Sequence, residues 1–175
     1  ADNSPPRIRL AASARDLDLG ETFQTIGRQV PIDGTFDLDL VLAARGSTPK
    51  QLSRTVDGPM VAVLSEGWIS GGFFDLLGLD VFTRLLPPAV LQGTTDIHCW
   101  VMRSSGASGV ITLDKFVLDT PGNRVNASGS IDLGAEKMKL VFVPIAKRRL
   151  MGRLSEPLSV TVGVRGALAS PDISV

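Results

Sequence analysis

The sequence predicts a mainly β fold: a curved, mostly antiparallel sheet or groove of about seven to eight strands. One substantial helix is expected near 72–87, with short helical turns near 13–26 and 48–56. Three observations lead there. Period-two alternation of apolar and polar residues runs through most segments, short turn-rich stretches separate them, and from Thr94 onward nearly every segment has strand character. The pattern is clearest in "RVNASGSIDLGAEKMKLVFVP", residues 124–144. Val125, Ala127, Gly129, Ile131 and Leu133 alternate with Asn126, Ser128, Ser130 and Asp132. After a turn at Gly134-Ala135-Glu136, Met138, Leu140 and Phe142 do the same. Alternation gives each strand an apolar face and a more polar one, so something must lie against the apolar side.

Taken in order, residues 7–12 suit a short strand. "SARDLDLGETFQTIG" offers Ser13 as a helix cap, acidic residues for the first turn and Gly27 as a stop. "GTFDLDLVLAARG" is the strongest strand, with Phe36, Leu38, Leu40, Leu42 and Ala44 on one face. "STPKQLSRTVDG" supplies Ser47 or Thr48 as cap and Pro49 at the first helical position. Residues Met60 to Leu64 are apolar on both faces, which suits a strand inside a covered sheet. In "GFFDLLGLDVFTRLLPPAVLQ", Phe73, Phe74, Leu77, Val81, Leu85 and Leu86 recur near helical spacing before Pro87-Pro88 ends the run. Strands follow at 95–103, 109–118, 123–133, 137–144 and 158–165, then the tail "GALASPDISV". Their short connections favour an antiparallel meander.

Bulk properties bound the function. A chain of 175 residues suits one domain with a sizeable core. Eighteen basic residues balance eighteen acidic ones, which argues against broad binding to nucleic acid. The one cysteine, Cys99, cannot form an internal disulfide. No run of about twenty apolar residues is present to span a membrane as a helix. The start lacks the order of a signal peptide. The chain opens and closes in strand-like sequence, as a piece of a larger protein would.

Reactive constellations are thin. The single histidine, His98, has Asp96 two residues away, but no serine lies in a nucleophile elbow. One His and one Cys are too few for a metal site. Asp37 and Asp39 share a face opposite the leucines, where a solvated sheet face explains them better than acid–base work. "WISGGFF" lacks the spacing of a phosphate loop. No catalytic residue, metal or cofactor is assigned. "AKRRLMGR" differs, placing Lys147, Arg148, Arg149 and Arg153 within seven residues. Such a cluster suits either a solvated loop or contact with anionic lipid headgroups.

The order of segments resembles the C-terminal region of AsmA family proteins. The pieces that carry this are "LAARGSTPKQL", "DGPMVAVLSEGWISG" and the leucine-rich helix. "GVITLDKFVLDTP", "VNASGSIDLGAEKMKLVFVP" and "LSVTVGVRGALASPDISV" then follow in order, so that the resemblance covers roughly residues 30–175. It implies a β-rich module, residues 1–175, of a larger bacterial protein held at the inner membrane by a segment absent here and facing the periplasm. It further implies a role in outer-membrane biogenesis, with phospholipid or another acyl-chain ligand carried along a β-groove and envelope proteins as partners.

The expected function is therefore non-enzymatic lipid binding or transfer. The expected groove lining is Phe36, Leu38, Leu40, Leu42, Ile111, Leu113, Val125, Ile131, Leu133, Met138, Leu140 and Phe142. Lys147, Arg148, Arg149 and Arg153 are the candidate headgroup contacts. The alternative is a structural or protein-interaction domain with a dry core and no lipid cargo.

Overall fold

The computed structural model describes residues 5–25, 32–70, 93–147 and 161–174. The helix expected at 72–87 and the chain around Arg148, Arg149 and Arg153 fall outside them. Among the described residues the elements are β1 (Arg7–Asp18), α1 (Leu19–Thr25), β2 (Ile32–Arg45), α2 (Pro49–Ser53), β3 (Gly58–Ser70), β4 (Thr94–Ala107), β5 (Val110–Asp119), β6 (Asn123–Asp132), β7 (Lys137–Ala146), β8 (Val162–Ala167) and β9 (Ser170–Ser174). The nine strands form one sheet in sequence order, β1 to β9, and every neighbouring pair is antiparallel. The expected meander is what the chain builds, as an open, curved sheet.

Residue chemistry accounts for the connections. Ser108 and Gly109 both have positive φ, 50° and 79°, and Ala107 pairs with Val110 across them. That is the two-residue hairpin turn whose twist matches that of the strands. Thr48 caps α2, with its side chain accepting from the Gln51 N–H and Pro49 in the first turn, as the sequence predicts.

The first helix is shorter than its expected span. Ser13 to Asp18 belong to β1, which pairs with β2 through Leu17 and Asp18. Asp18 is the cap, its Oδ1 accepting from the Glu21 N–H at 2.8 Å. Sheet pairing outweighs local helix signals in this stretch. β4 also runs further than expected, through Ala107, so that only Ser108-Gly109 of the glycine- and serine-rich segment makes the turn. The closing tail supplies a ninth strand.

Register defects bend the sheet. Bulges fall between Ala14 and Leu17 in β1, where Asp16 has φ 50°, between Ser65 and Trp68 in β3, where Glu66 has φ 48° opposite Gly34 of β2, and around Asp114 in β5. Each leaves an unpaired residue and increases local twist. Gly129 marks a different constraint: its φ is 133°, and a Cβ there would lie 2.1 Å from the backbone oxygen of Lys139. Only glycine fits that approach between β6 and β7.

α1 packs at one end of the apolar face. Leu19, Leu64, Ile69 and Ile97 form a buried cluster, joined by Leu17, Phe23, Ile32, Phe36, Trp100 and Leu118. At the other end the segment between α2 and β3 meets the β4–β5 turn, which in turn meets the residue that follows β6. Gly109 N–H donates to Val56 O, Ser108 N–H to Asp57 Oδ1, and Leu133 N–H to Gly109 O.

These burials set expected stabilities. Leu64 is 0% exposed and Leu10 is 54% exposed. Leu64→Ala should cost about 2–5 kcal/mol, from lost transfer energy and a residual cavity. Leu10→Ala should cost under about 1 kcal/mol. Urea denaturation of both variants checks this; similar midpoints would mean the two sites are not differently packed.

Candidate lipid-binding face

Cross-strand partners in a pleated sheet lie on the same face, so the register assigns every strand residue to a side. One row runs through all nine strands: Ala12, Leu40, Met60, Ser104, Leu113, Gly129, Leu140, Val164 and Ile173. Beside it lies Leu17, Phe36, Leu64, Trp100, Leu118, Val125 and Pro144. A third row holds Ala14, Leu38, Ala62, Met102 and Phe116. A fourth, nearer α2, holds Gly106, Ile111, Ile131, Met138, Gly166 and Pro171. No charged side chain occurs in any of these rows.

The sequence-assigned residues fall together. Phe36, Leu38, Leu40, Leu42, Ile111, Leu113, Val125, Ile131, Met138, Leu140 and Phe142 share this face. Leu133 is the exception in placement, standing just past the end of β6, where it is half-buried and bonded through its N–H to the β4–β5 turn. Bridging contacts tie strands together across the face. Trp100 meets Phe116 edge-on, and Phe116 meets Phe142 likewise, each at 6.4 Å between ring centres. Ala127, which pairs with Phe142 on β6, is small enough to leave room for that second contact.

Burial along this face is uneven. Leu64 and Val164 are fully buried, and Ala62, Ala127 and Leu140 nearly so. Leu38, Leu40, Leu42, Ile111, Leu113, Ile131, Met138 and Phe142 are half-buried. Toward β1 the face opens to solvent at Ile8, 51% exposed, and at Leu10.

The opposite face carries the charged side chains, set among valines such as Val61, Val63, Val101 and Val117, as the apolar run from Met60 to Leu64 predicts. Asp39 takes Arg15 as its ion-pair partner and accepts from the Ser13 hydroxyl, while Asp37 accepts the Asp16 N–H. Both acids therefore serve the surface of β1 and β2, as their alternation with the leucines suggests. His98 does not meet Asp96 in an ion pair; its Nδ1 lies 3.5 Å from Asp119 Oδ2. Cys99 is half-buried and free.

Asp119 centres the strongest electrostatic site among the described residues. Lys147 Nζ donates to its Oδ2 at 2.6 Å and to Thr120 O at 2.7 Å, and Arg124 Nε donates to its Oδ1 at 2.8 Å. The site joins the ends of β4, β5 and β6 to the residue that follows β7. Of the expected headgroup contacts, Lys147 thus has its ammonium bonded within the protein. Sequence reasoning did not reach Asp119, although its opposite charge to Arg124 across the "TPGN" turn was a usable signal.

The hydrogen bonds from Lys147 and Arg124 hold the Asp119 carboxyl below its ordinary 3.8, at about 2. A depressed carboxylate pKa stabilises the fold above the unfolded value, and that contribution is lost as pH falls through the folded one. Parent stability should therefore decline between about pH 4 and pH 2 more steeply than that of Asp119→Asn, which has no charge to lose. Denaturation midpoints across that interval check the difference; parallel profiles would exclude Asp119 as a source of acid sensitivity.

No protein-family model matches the chain, and no solved structure matches it. A curated protein is similar along nearly all of it: AsmA family protein YhjG of Escherichia coli (strain K12). The two are 23% identical over 174 residues, which make up 99% of this chain and 25% of that protein. The chain spans about a quarter of its relative's length. The similarity supports the resemblance to the AsmA family that residues 30–175 carry in their order of segments.

Proposed function

We propose that this chain is a non-enzymatic, β-rich module of an AsmA-like protein that binds phospholipid acyl chains on its apolar face during assembly of the outer membrane. The observation that carries this is the unbroken apolar surface. It crosses all nine strands without a charged side chain in its central rows, and many of its Leu, Ile and Met side chains are only half-buried.

Hiding such side chains from water contributes roughly 25 cal/mol for each Å² of apolar surface. A methylene chain laid across the rows supplies that cover without hydrogen bonding. The sheet is about 38 Å across its nine strands, at roughly 4.8 Å per step, comparable to the length of extended acyl chains laid end to end. The rows offer no charged group to recognise one acyl chain over another, and the Ser104 hydroxyl among them is buried, which favours broad selectivity.

The similarity to an AsmA family protein supports a role in the cell envelope. In this proposal the module faces the periplasm, belongs to a longer protein anchored at the inner membrane, and meets other envelope proteins. Among the described residues no helix is long and apolar enough to cross a membrane. The run from Lys147 to Arg153 is a proposed headgroup contact, with Lys147 acting beside its bond to Asp119.

Native mass spectrometry of the gently purified protein tests the proposal. The expected result is co-purified phospholipid in the parent and its loss in Leu40→Gln and Met138→Gln, whose side chains are half-buried on the face. Leu10→Gln, at the open margin, should retain part of the cargo. A parent free of lipid that stays folded would favour the dry interaction domain instead.

A further inference from the structure

The polar face carries an asymmetry of charge that the protein's zero net charge hides. Three cross-strand pairs on it oppose like charges directly, and all three are cationic: Arg7 with Arg45, Arg103 with Lys115, and Lys139 with Arg165. No register pair opposes two acids. Like charges directly opposite one another weaken a sheet. All six side chains are exposed, and none makes an ion pair or hydrogen bond with a described residue.

The acids on this face do not relieve them. Asp39 is taken by Arg15, and Asp119 by Lys147 and Arg124. Asp114 accepts the Ser105 hydroxyl, and Asp132 accepts the Ala135 N–H. Asp172 stands opposite Arg165 on β9 without closing an ion pair. Arg103 and Lys115 rim a shallow depression with Val61, Val101, Ser105 and Asp114. Between the second and third pairs, Ser105, Thr112 and Ser130 continue in register to Lys139, a row of hydroxyls leading from one to the other.

Placement indicates the partner. The pairs lie on β1/β2, β4/β5 and β7/β8, centred three strands apart, about 14 Å across the strands, and the first is displaced a further six residues, about 20 Å, along them, because Arg103 aligns with Asp39 of β2. One small anion cannot bridge that distance. A surface carrying many phosphate groups meets all three, each pair placing two positive charges around one phosphate. We propose that the polar face docks on an anionic lipid headgroup layer through these three cation pairs. The inference is independent of what the apolar face holds.

Vesicle flotation tests it with four proteins and two membranes: phosphatidylcholine alone, and phosphatidylcholine with phosphatidylglycerol. The first variant is R103Q/K115Q/K139Q/R165Q. The second, R9Q/K50Q/R54Q/K137Q, removes the same charge from exposed cations outside the pairs. The third is Leu40→Gln, which probes the apolar face. The parent should bind the anionic vesicles more than the neutral ones, and 0.5 M salt should abolish the difference, because exposed charges are screened within roughly 10 Å or less. The first variant should bind anionic vesicles at least about tenfold more weakly, since each cation near such a surface contributes on the order of fivefold. The second should lose less.

A parallel melting series in inorganic phosphate and in chloride, at matched ionic strength, reads the pairs without a membrane. Phosphate should raise the parent's Tm more than the first variant's. Equal loss of anionic binding in the first and second variants, or no anionic preference in the parent, overturns the proposal. A phosphate effect on Tm without anionic preference likewise overturns headgroup docking, and assigns the pairs to free phosphate. Leu40→Gln should keep the parent's preference for anionic vesicles; loss of that preference in this variant as well would assign it to the apolar face and overturn the proposal.

Discussion

Backbone hydrogen bonding between antiparallel neighbours decides which side chains share a face, and the rest of the molecule depends on that constraint. Once Leu40 stands opposite Met60, the pleat commits every second residue of both strands to one side. The commitment passes through Ser104, Leu113, Gly129, Leu140 and Val164 to Ile173 at the far edge. A slip of one residue in any strand would turn its apolar set to the polar side. The bulges in β1, β3 and β5 each insert a residue, yet Leu17 still pairs with Phe36 beyond the first, and Phe116 follows Leu113 on the same face beyond the last. They bend the sheet while conserving its sidedness.

Packing follows from that sidedness but does not use it evenly. The densest parts lie where Leu64, Ile69 and Ile97 meet Leu19 of α1, and, on the same face toward the β9 edge, at Val164 and Leu140. Small residues at Ala62, Ala127 and Gly129 alternate with Leu, Met and Phe, which allows aromatic contacts to bridge β4, β5 and β7. Between these regions the surface is apolar without being fully buried. That combination suits a ligand whose only requirement is to leave water.

The two edges differ in how they meet the solvent. β9 is short and carries Pro171 and Asp172, features that discourage another strand from pairing. β1 is longer and exposes Ile8 and Leu10 on the apolar face, with Arg7 and Arg9 on the other. The charges are distributed by the same rule as the leucines, since strand alternation places them. Asp119 is the point where they are gathered rather than spread, and there two cations, Arg124 and Lys147, converge on one nearly buried carboxylate.

Much of this was legible in the sequence because a period of two is a local property. The alternation of Phe36, Leu38, Leu40 and Leu42, and of Val125 to Ile131, names a face without reference to any partner strand. The Thr48-Pro49 cap and the short connections are likewise local chemistry. Ser13 was misleading for the same reason: its stretch has helix-start signals, but pairing with β2 extends β1 to Asp18 and leaves the cap to that residue. What only tertiary structure decided are the facts that need a register. These are the bond of Lys147 to Asp119 across 28 positions, the opposition of Arg103 to Lys115 and of Lys139 to Arg165, and the contact of Phe116 with Phe142. Residue type sets which side of a strand a group occupies, but only hydrogen-bonded alignment of distant strands sets what stands beside it.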